Sequence, residues 1–232
     1  MALVPLNLPA GVYRNGTDLQ SQGRWRDSNL VRWFDDTLRP IGGWRTRSDT
    51  ASAGQVRGMH SWIDNDSDRW IAAGSYNKLY IYSGAGDQFD ITPTGLTAGN
   101  EDALQPTGYG NSFYGKEYYG IARQEVATIT PATTWAMDSW GEYLVACSSS
   151  DGKIYEWQLA TGTIAAPITN APVGCRSILV TEERFLFALG SAGNPRLVQW
   201  SDRENNTVWT PAATNEAGSL ELQTTGRIQC GV

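Results

Sequence analysis

Three stretches of the chain share one order of apolar and polar positions. Glu142–Cys147 is an apolar run rich in β-branched and aromatic residues. A polar cluster follows at Ser148–Gly152, and Lys153–Trp157 then alternates with a period of two. Run, turn and alternation in that order predict a β-hairpin. Asp68–Tyr82 and Arg184–Trp200 repeat the order. Aligned on these hairpins, Trp70, Tyr143 and Phe185 coincide, as do Ala73, Ala146 and Ala188, and then Tyr80, Tyr155 and Val198. A strand pair repeated at a spacing near 40 residues, as from Tyr143 to Phe185, is the signature of propeller blades. The expected fold is therefore all-β, with β-propeller-like repeats of four-stranded blades that form an incomplete ring.

The first blade is expected to run through Val56–Ile63, Arg69–Gly74, Lys78–Ser83 and Gln88–Pro93, where Pro93 ends pairing. A second runs from Thr133–Trp140 through the central hairpin to about residue 168. The third takes Arg176–Thr181, Arg184–Gly190, Arg196–Trp200 and Thr207–Pro211, and Ser219–Gln223 and Gly226–Val232 are predicted strands of a further blade. Before the repeats, residues 1–30 read as an extended arm, since Pro5, Pro9, Gly11, Gly16 and Gly23 break any helix. Asn29–Phe34 and Leu38–Trp44 form a predicted hairpin around Asp35–Thr37, and Thr46–Gln55 is a Ser/Ala/Thr/Gly-rich linker. The organisation is thus an arm and hairpin for docking over residues 1–55, then a propeller-like domain over 56–232. An insertion at about residues 95–131 interrupts the repeat. It carries Tyr109, Phe113, Tyr114, Tyr118 and Tyr119, which are candidate interface aromatics because Tyr offers large rigid contact area at low entropy cost.

Composition strengthens the all-β reading: 25 Gly, 10 Pro, 10 Trp and 10 Tyr with 18% charged residues describe short strands, tight turns and few helices. The net charge of −6 excludes a protein that coats nucleic acid with a basic face. That charge is uneven. Residues 1–60 hold eight Arg against five Asp, whereas residues 61–232 hold ten basic against nineteen acidic side chains. Within the basic arm, Arg14, Arg24, Arg26, Arg32, Arg39 and Arg45 form a candidate docking face toward an acidic partner or a wall facing DNA phosphate. The blander alternative is solvated charge paired with Asp27, Asp35 and Asp36. Three cysteines without paired spacing give no disulfide framework or zinc site, and the start lacks the cationic head and apolar run of a signal peptide. A soluble protein made in the cytoplasm is expected.

Little in the sequence points to catalysis. His60 is the one histidine and no G-x-S-x-G occurs, so nucleophilic triads have nothing to rest on. Asp64–Asp68 resembles the first half of a calcium loop, but Arg69 stands where that loop needs Gly and Ser75 where it needs Glu; a solvated turn is the better reading. Gly190–Asn194 lacks the strand–helix context of a phosphate cradle, and Gly152 directly after Asp151 departs from the aspartate box of sialidase propellers. No catalytic, metal or cofactor site is expected, and the chain is read as a non-enzyme.

The opening PLNLPAGVYRNGTDLQSQGRWRDSNLVRW at Pro5–Trp33, followed by LRPIGGWR at Leu38–Arg45, resembles the N-terminal region of tail hub or nozzle proteins of short-tailed bacteriophages, the packaged-DNA stabilisation proteins among them. KLYIYSGAGDQFDITP at Lys78–Pro93 is similar to the propeller repeats of the same proteins. The resemblance is most specific over the first sixty or so residues, and family members are several times longer. It implies a structural protein of the virion tail, synthesised in the host cytoplasm, that forms a homo-oligomeric ring, expected to be hexameric, below the portal and adaptor. Such a ring extends the DNA exit channel, helps retain packaged DNA and mediates its ejection. DNA would pass through the lumen without sequence-specific binding, other tail proteins would be neighbours, and no membrane insertion is implied. Two alternatives stand beside it: a propeller binding module, lectin or scaffold, and a tail-associated propeller glycosidase whose carboxylates come from separate blades.

Overall fold

The computed structural model describes residues 11–35, 37–43, 45–48, 50–104 and 130–231. Among them there is no helix, and every ladder joining two strands is antiparallel. The chain divides into two compact units, Met1–Thr46 and Arg47–Val232.

In the first unit, β1 (Val31–Phe34) and β2 (Thr37–Pro40) make the hairpin that the sequence predicts, with Arg32 opposite Arg39 and Trp33 opposite Leu38. The described part of the arm does not run extended. Val12 bridges Trp25, Tyr13 N–H donates to the Trp25 carbonyl at 2.8 Å, and Thr17–Gln22 makes a tight turn between them. Gln20 and Ser21 both donate to the Thr17 carbonyl, which gives the loop its own backbone partners.

The second unit contains three four-stranded sheets. The first is β3 (Gly58–Ile63), β4 (Arg69–Gly74), β5 (Leu79–Ser83) and β6 (Gln88–Asp90). β7 (Trp135–Trp140), β8 (Tyr143–Ser148), β9 (Ile154–Trp157) and β10 (Ala166–Pro167) form the second. The third is β11 (Ser177–Val180), β12 (Leu186–Leu189), β13 (Leu197–Trp200) and β14 (Gly218–Glu221). Each is a meander in chain order, and the first strands are neighbours, β7 lying against β3 and β11 against β7.

Period-two alternation decides how the sheets stack. On β8 and β9, Leu144, Ala146, Tyr155 and Trp157 face one way and pack with Ala72, Leu79, Ile81 and Ile91 of the first sheet's side. Val145, Cys147 and Ile154 face the other way and pack with Ile178, Leu186 and Ala188 of the third. Successive side chains on a strand point to opposite faces, so a continuous apolar run such as YLVAC marks a sheet buried on both. Trp70 and Trp157 meet edge to face across the first layer, with ring centroids 5.6 Å apart.

The third sheet departs from the predicted pattern. Its fourth strand is Gly218–Glu221, which pairs with β13, while the expected strand at Thr207–Pro211 is not one. Trp209 instead leaves the surface and fills the second apolar layer, its Nε1–H donating to the Asn206 carbonyl at 2.7 Å. Gly218 explains the choice of strand: the Trp200 ring lies on it so closely that a Cβ there has no room, and Trp200 Nε1–H donates to the Glu216 carbonyl at 2.8 Å. Ser219–Gln223 therefore largely completes the third sheet and begins no further one, and Gly226–Gly231 is not a strand. The repeat alignment also slips by one residue. Ala73 and Ala146 stand opposite Tyr80 and Tyr155, but Ala188 stands opposite Gln199; Val198 pairs with Leu189 and matches Leu79 and Ile154.

Candidate assembly surfaces

The six arm arginines all lie in the first unit and all are exposed. Arg14 donates to Asp27 at 2.7 Å and Arg26 pairs with Asp18; open to water, such pairs contribute at most about 1 kcal/mol each. Arg24 sits over the Tyr13 ring at 5.3 Å. On the hairpin, Arg32 and Arg39 both flank the Phe34 ring, at 5.7 and 4.8 Å. Like charges directly opposite on a ladder repel, and the ring's negative face offsets part of that cost. Arg45 is exposed without a described partner. Between these cations Leu19, Leu30, Phe34, Leu38 and Ile41 are exposed as well. A surface that mixes exposed guanidinium groups with open apolar side chains has the composition of an interface more than of a solvated face. The aromatics proposed for the insertion, Tyr109, Phe113, Tyr114, Tyr118 and Tyr119, lie outside the described residues.

In the second unit the polar groups that the sequence singles out serve the stack. His60 on β3 and Ser139 on β7 meet at 2.8 Å between Nε2 and Oγ. Burial holds the imidazole below its ordinary pKa, and the Asp138 charge opposes that only in part. One position along, Asp138 accepts a bond at 2.7 Å from the Val180 N–H of β11. Trp62 Nε1–H donates across to the Glu142 carbonyl at 2.9 Å, and Trp135 Nε1–H to the Ser75 carbonyl at 2.7 Å. These seams join residues 42 to 80 positions apart, and no linear spacing announces them.

Asp64 is fully employed by its turn. Its Oδ1 accepts the N–H groups of Asp66 and Asp68 and its Oδ2 accepts Trp70 Nε1–H at 2.9 Å, and the indole bond is the main cause of its lowered pKa. Asp151 does the same for the central hairpin, accepting Tyr155 Oη–H at 2.5 Å and Lys153 N–H at 3.1 Å. Gly152, at φ 63°, passes so close to Gly174 and Cys175 that a Cβ would stand 2.5 Å from Gly174 Cα. The Cys175 N–H donates to its carbonyl at 2.9 Å, which fixes this turn to the third sheet. The Cys147 thiol lies in the second layer with its pKa pushed well up by burial, and Cys175 is raised to about 12 for the same reason. Both stay protonated at neutral pH and pack as small apolar groups.

Among the described residues no group of three His, Cys, Asp or Glu side chains converges on a point that could hold a metal ion. No helix of the described residues is long and apolar enough to cross a membrane. No protein family, curated protein or solved structure matches the chain.

Proposed function

We propose that the chain is a structural subunit of the tail of a short-tailed bacteriophage: a nozzle or hub ring that extends the DNA exit channel below the portal and adaptor, helps retain packaged DNA and conducts it at ejection. The observation that carries this reading is the arm and its hairpin, whose six exposed arginines stand among exposed apolar side chains on a unit distinct from the three four-stranded sheets. Support comes also from the three stacked meanders with neighbouring first strands, the arrangement of blades in a propeller. Residues 47–232 hold twelve basic against twenty acidic side chains, so the body attracts the cationic arm of a neighbouring copy and repels phosphate. DNA then slides past a wall that does not bind it. The mechanism is mechanical and electrostatic: rigid sheets contain the DNA, and arms hold the ring together.

An arm-held ring is sensitive to ionic strength, because exposed charges are screened within about 10 Å at 0.1 M salt and about 3 Å at 1 M. Sedimentation of the purified chain is expected to show a large assembly at low salt that falls apart as salt rises. Replacing Arg24, Arg32 and Arg39 together by Glu is expected to abolish the assembly at every salt concentration. An assembly indifferent to both changes would overturn the role given to the arm.

A further inference from the structure

The connection between β13 and β14 is longer than its counterparts in the other two sheets. Residues 84–87 join β5 to β6 and residues 158–165 join β9 to β10, whereas residues 201–217 join β13 to β14. A connection of that length without a strand of its own is uncommon in a compact domain and is typically functional. Here it folds back on the second sheet. Trp209 enters the second apolar layer, and Asn206 and Thr207 make one wall of a cleft of about 400 Å³ whose other wall is the β9–β10 edge. That volume lies within the roughly 300–1,000 Å³ of small-molecule sites. We propose that this cleft binds a neutral saccharide.

Both walls are fixed by the chain itself. On the β9–β10 side, Trp157 Nε1–H donates to the Ala160 and Thr163 carbonyls at 3.2 and 3.3 Å, and Ala165 N–H donates to the Ile91 carbonyl at 2.9 Å. On the other side, Asn205 Oδ1 accepts the N–H and the Oγ1–H of Thr207 at 3.0 and 2.7 Å. Trp209 Nε1–H holds the Asn206 carbonyl in the same turn. Asn170, just after β10, donates to the Thr207 carbonyl at 3.3 Å and so ties one wall to the other. A cleft ordered in advance binds its ligand without the cost of ordering loops.

The polar groups in the cleft centre on Glu156. Its Oε1 accepts Gln158 Nε2–H at 2.6 Å and its Oε2 accepts Asn206 Nδ2–H. A primary amide has two N–H donors and an acceptor oxygen, and a carboxylate has about four lone-pair sites. After these two bonds each amide keeps a donor beside an acceptor, and the carboxylate keeps acceptor capacity. Vicinal hydroxyls need that arrangement, since each gives and takes a bond at once. Ile164, 48% exposed, and Pro167 supply apolar surface for the C–H face of a sugar ring. Among the described residues no Lys, Arg or His lines the cleft, so a phosphate or carboxylate would face Glu156 without a counter-charge. No aromatic ring lines it either, which leaves a planar aromatic ligand nothing to stack on. The cleft lies wholly within the second unit, and the inference holds whether or not the chain belongs to a virion.

The test is saturation-transfer NMR of the full chain with glucose, galactose, mannose and N-acetylglucosamine, each alone, and with glucose 6-phosphate. Transfer is expected to at least one of the neutral sugars and not to the phosphate ester. Glu156→Gln keeps the size of the side chain but removes its charge and one acceptor, and should weaken binding about tenfold. Because Glu156 also ties the two walls, a second variant leaves them alone: Thr169→Arg, at an exposed lining position, should fill the cleft and abolish transfer while the urea midpoint stays unchanged. The inference is overturned by absence of transfer to all four neutral sugars, by transfer to glucose 6-phosphate as strong as to any of them, or by binding that either variant leaves unchanged.

Discussion

At His60 an imidazole and a hydroxyl from different sheets meet half-buried, and the sign of the coupling follows from the lowered pKa. The unfolded chain takes up a proton near pH 6.5 that the folded chain takes up only at lower pH. The His60 contribution to stability is therefore constant above about pH 6.5 and falls as the pH drops from there to the folded value. His60→Gln, which keeps a polar partner for Ser139 and cannot titrate, should flatten this part of the profile. Urea midpoints of both proteins between about pH 7.5 and about pH 5 check it; an equal fall in both would contradict the assignment. Other residues singled out by type proved to be turn fittings. Both oxygens of Asp64 and of Asp151 are committed to the N–H and O–H groups of their own hairpins. The Asn65 and Asp66 that follow Asp64, and the Ser150 and Gly152 that flank Asp151, are what tight turns select.

At the scale of elements, the first sheet and β7–β9 of the second were legible from the pattern because each strand there is bounded by turn residues and each hairpin closes within a few positions. β4 is Arg69–Gly74 in sequence expectation and structure alike, and β8 differs only at its ends. The third sheet was not legible beyond β13, since TVWTP at Thr207–Pro211 has the composition of a strand and Trp209 spends it on filling a layer. What selects β14 is a pair of residues eighteen apart, Trp200 lying on Gly218, and single-strand periodicity is blind to that. Gly218→Val should therefore cost about 1–3 kcal/mol by overpacking and release β14 first. Hydrogen exchange is expected to show lost protection over Gly218–Glu221 while β7–β9 stay protected; unchanged protection of β14 would refute the role given to this contact. In the arm, proline and glycine predict extension, whereas the backbone closes its own loop between Val12 and Trp25. Residues that forbid a helix do not by themselves forbid a turn.

For the whole molecule, function follows from what the repeat leaves over. The hairpins spend their apolar residues on two layers between three sheets, and their polar groups on turns and seams. Arginines and open apolar side chains remain on the first unit. Among the described residues the first unit mixes guanidinium groups with open apolar side chains, a composition that protein interfaces share. The charge asymmetry belongs to this scale too, because a cationic arm and an acidic body attract between copies whatever the local contacts. The measurement that bears most directly on this account is electron microscopy of the purified chain at low salt. Class averages are expected to show a ring of copies around an open central channel, and isolated compact particles at high protein concentration would contradict it.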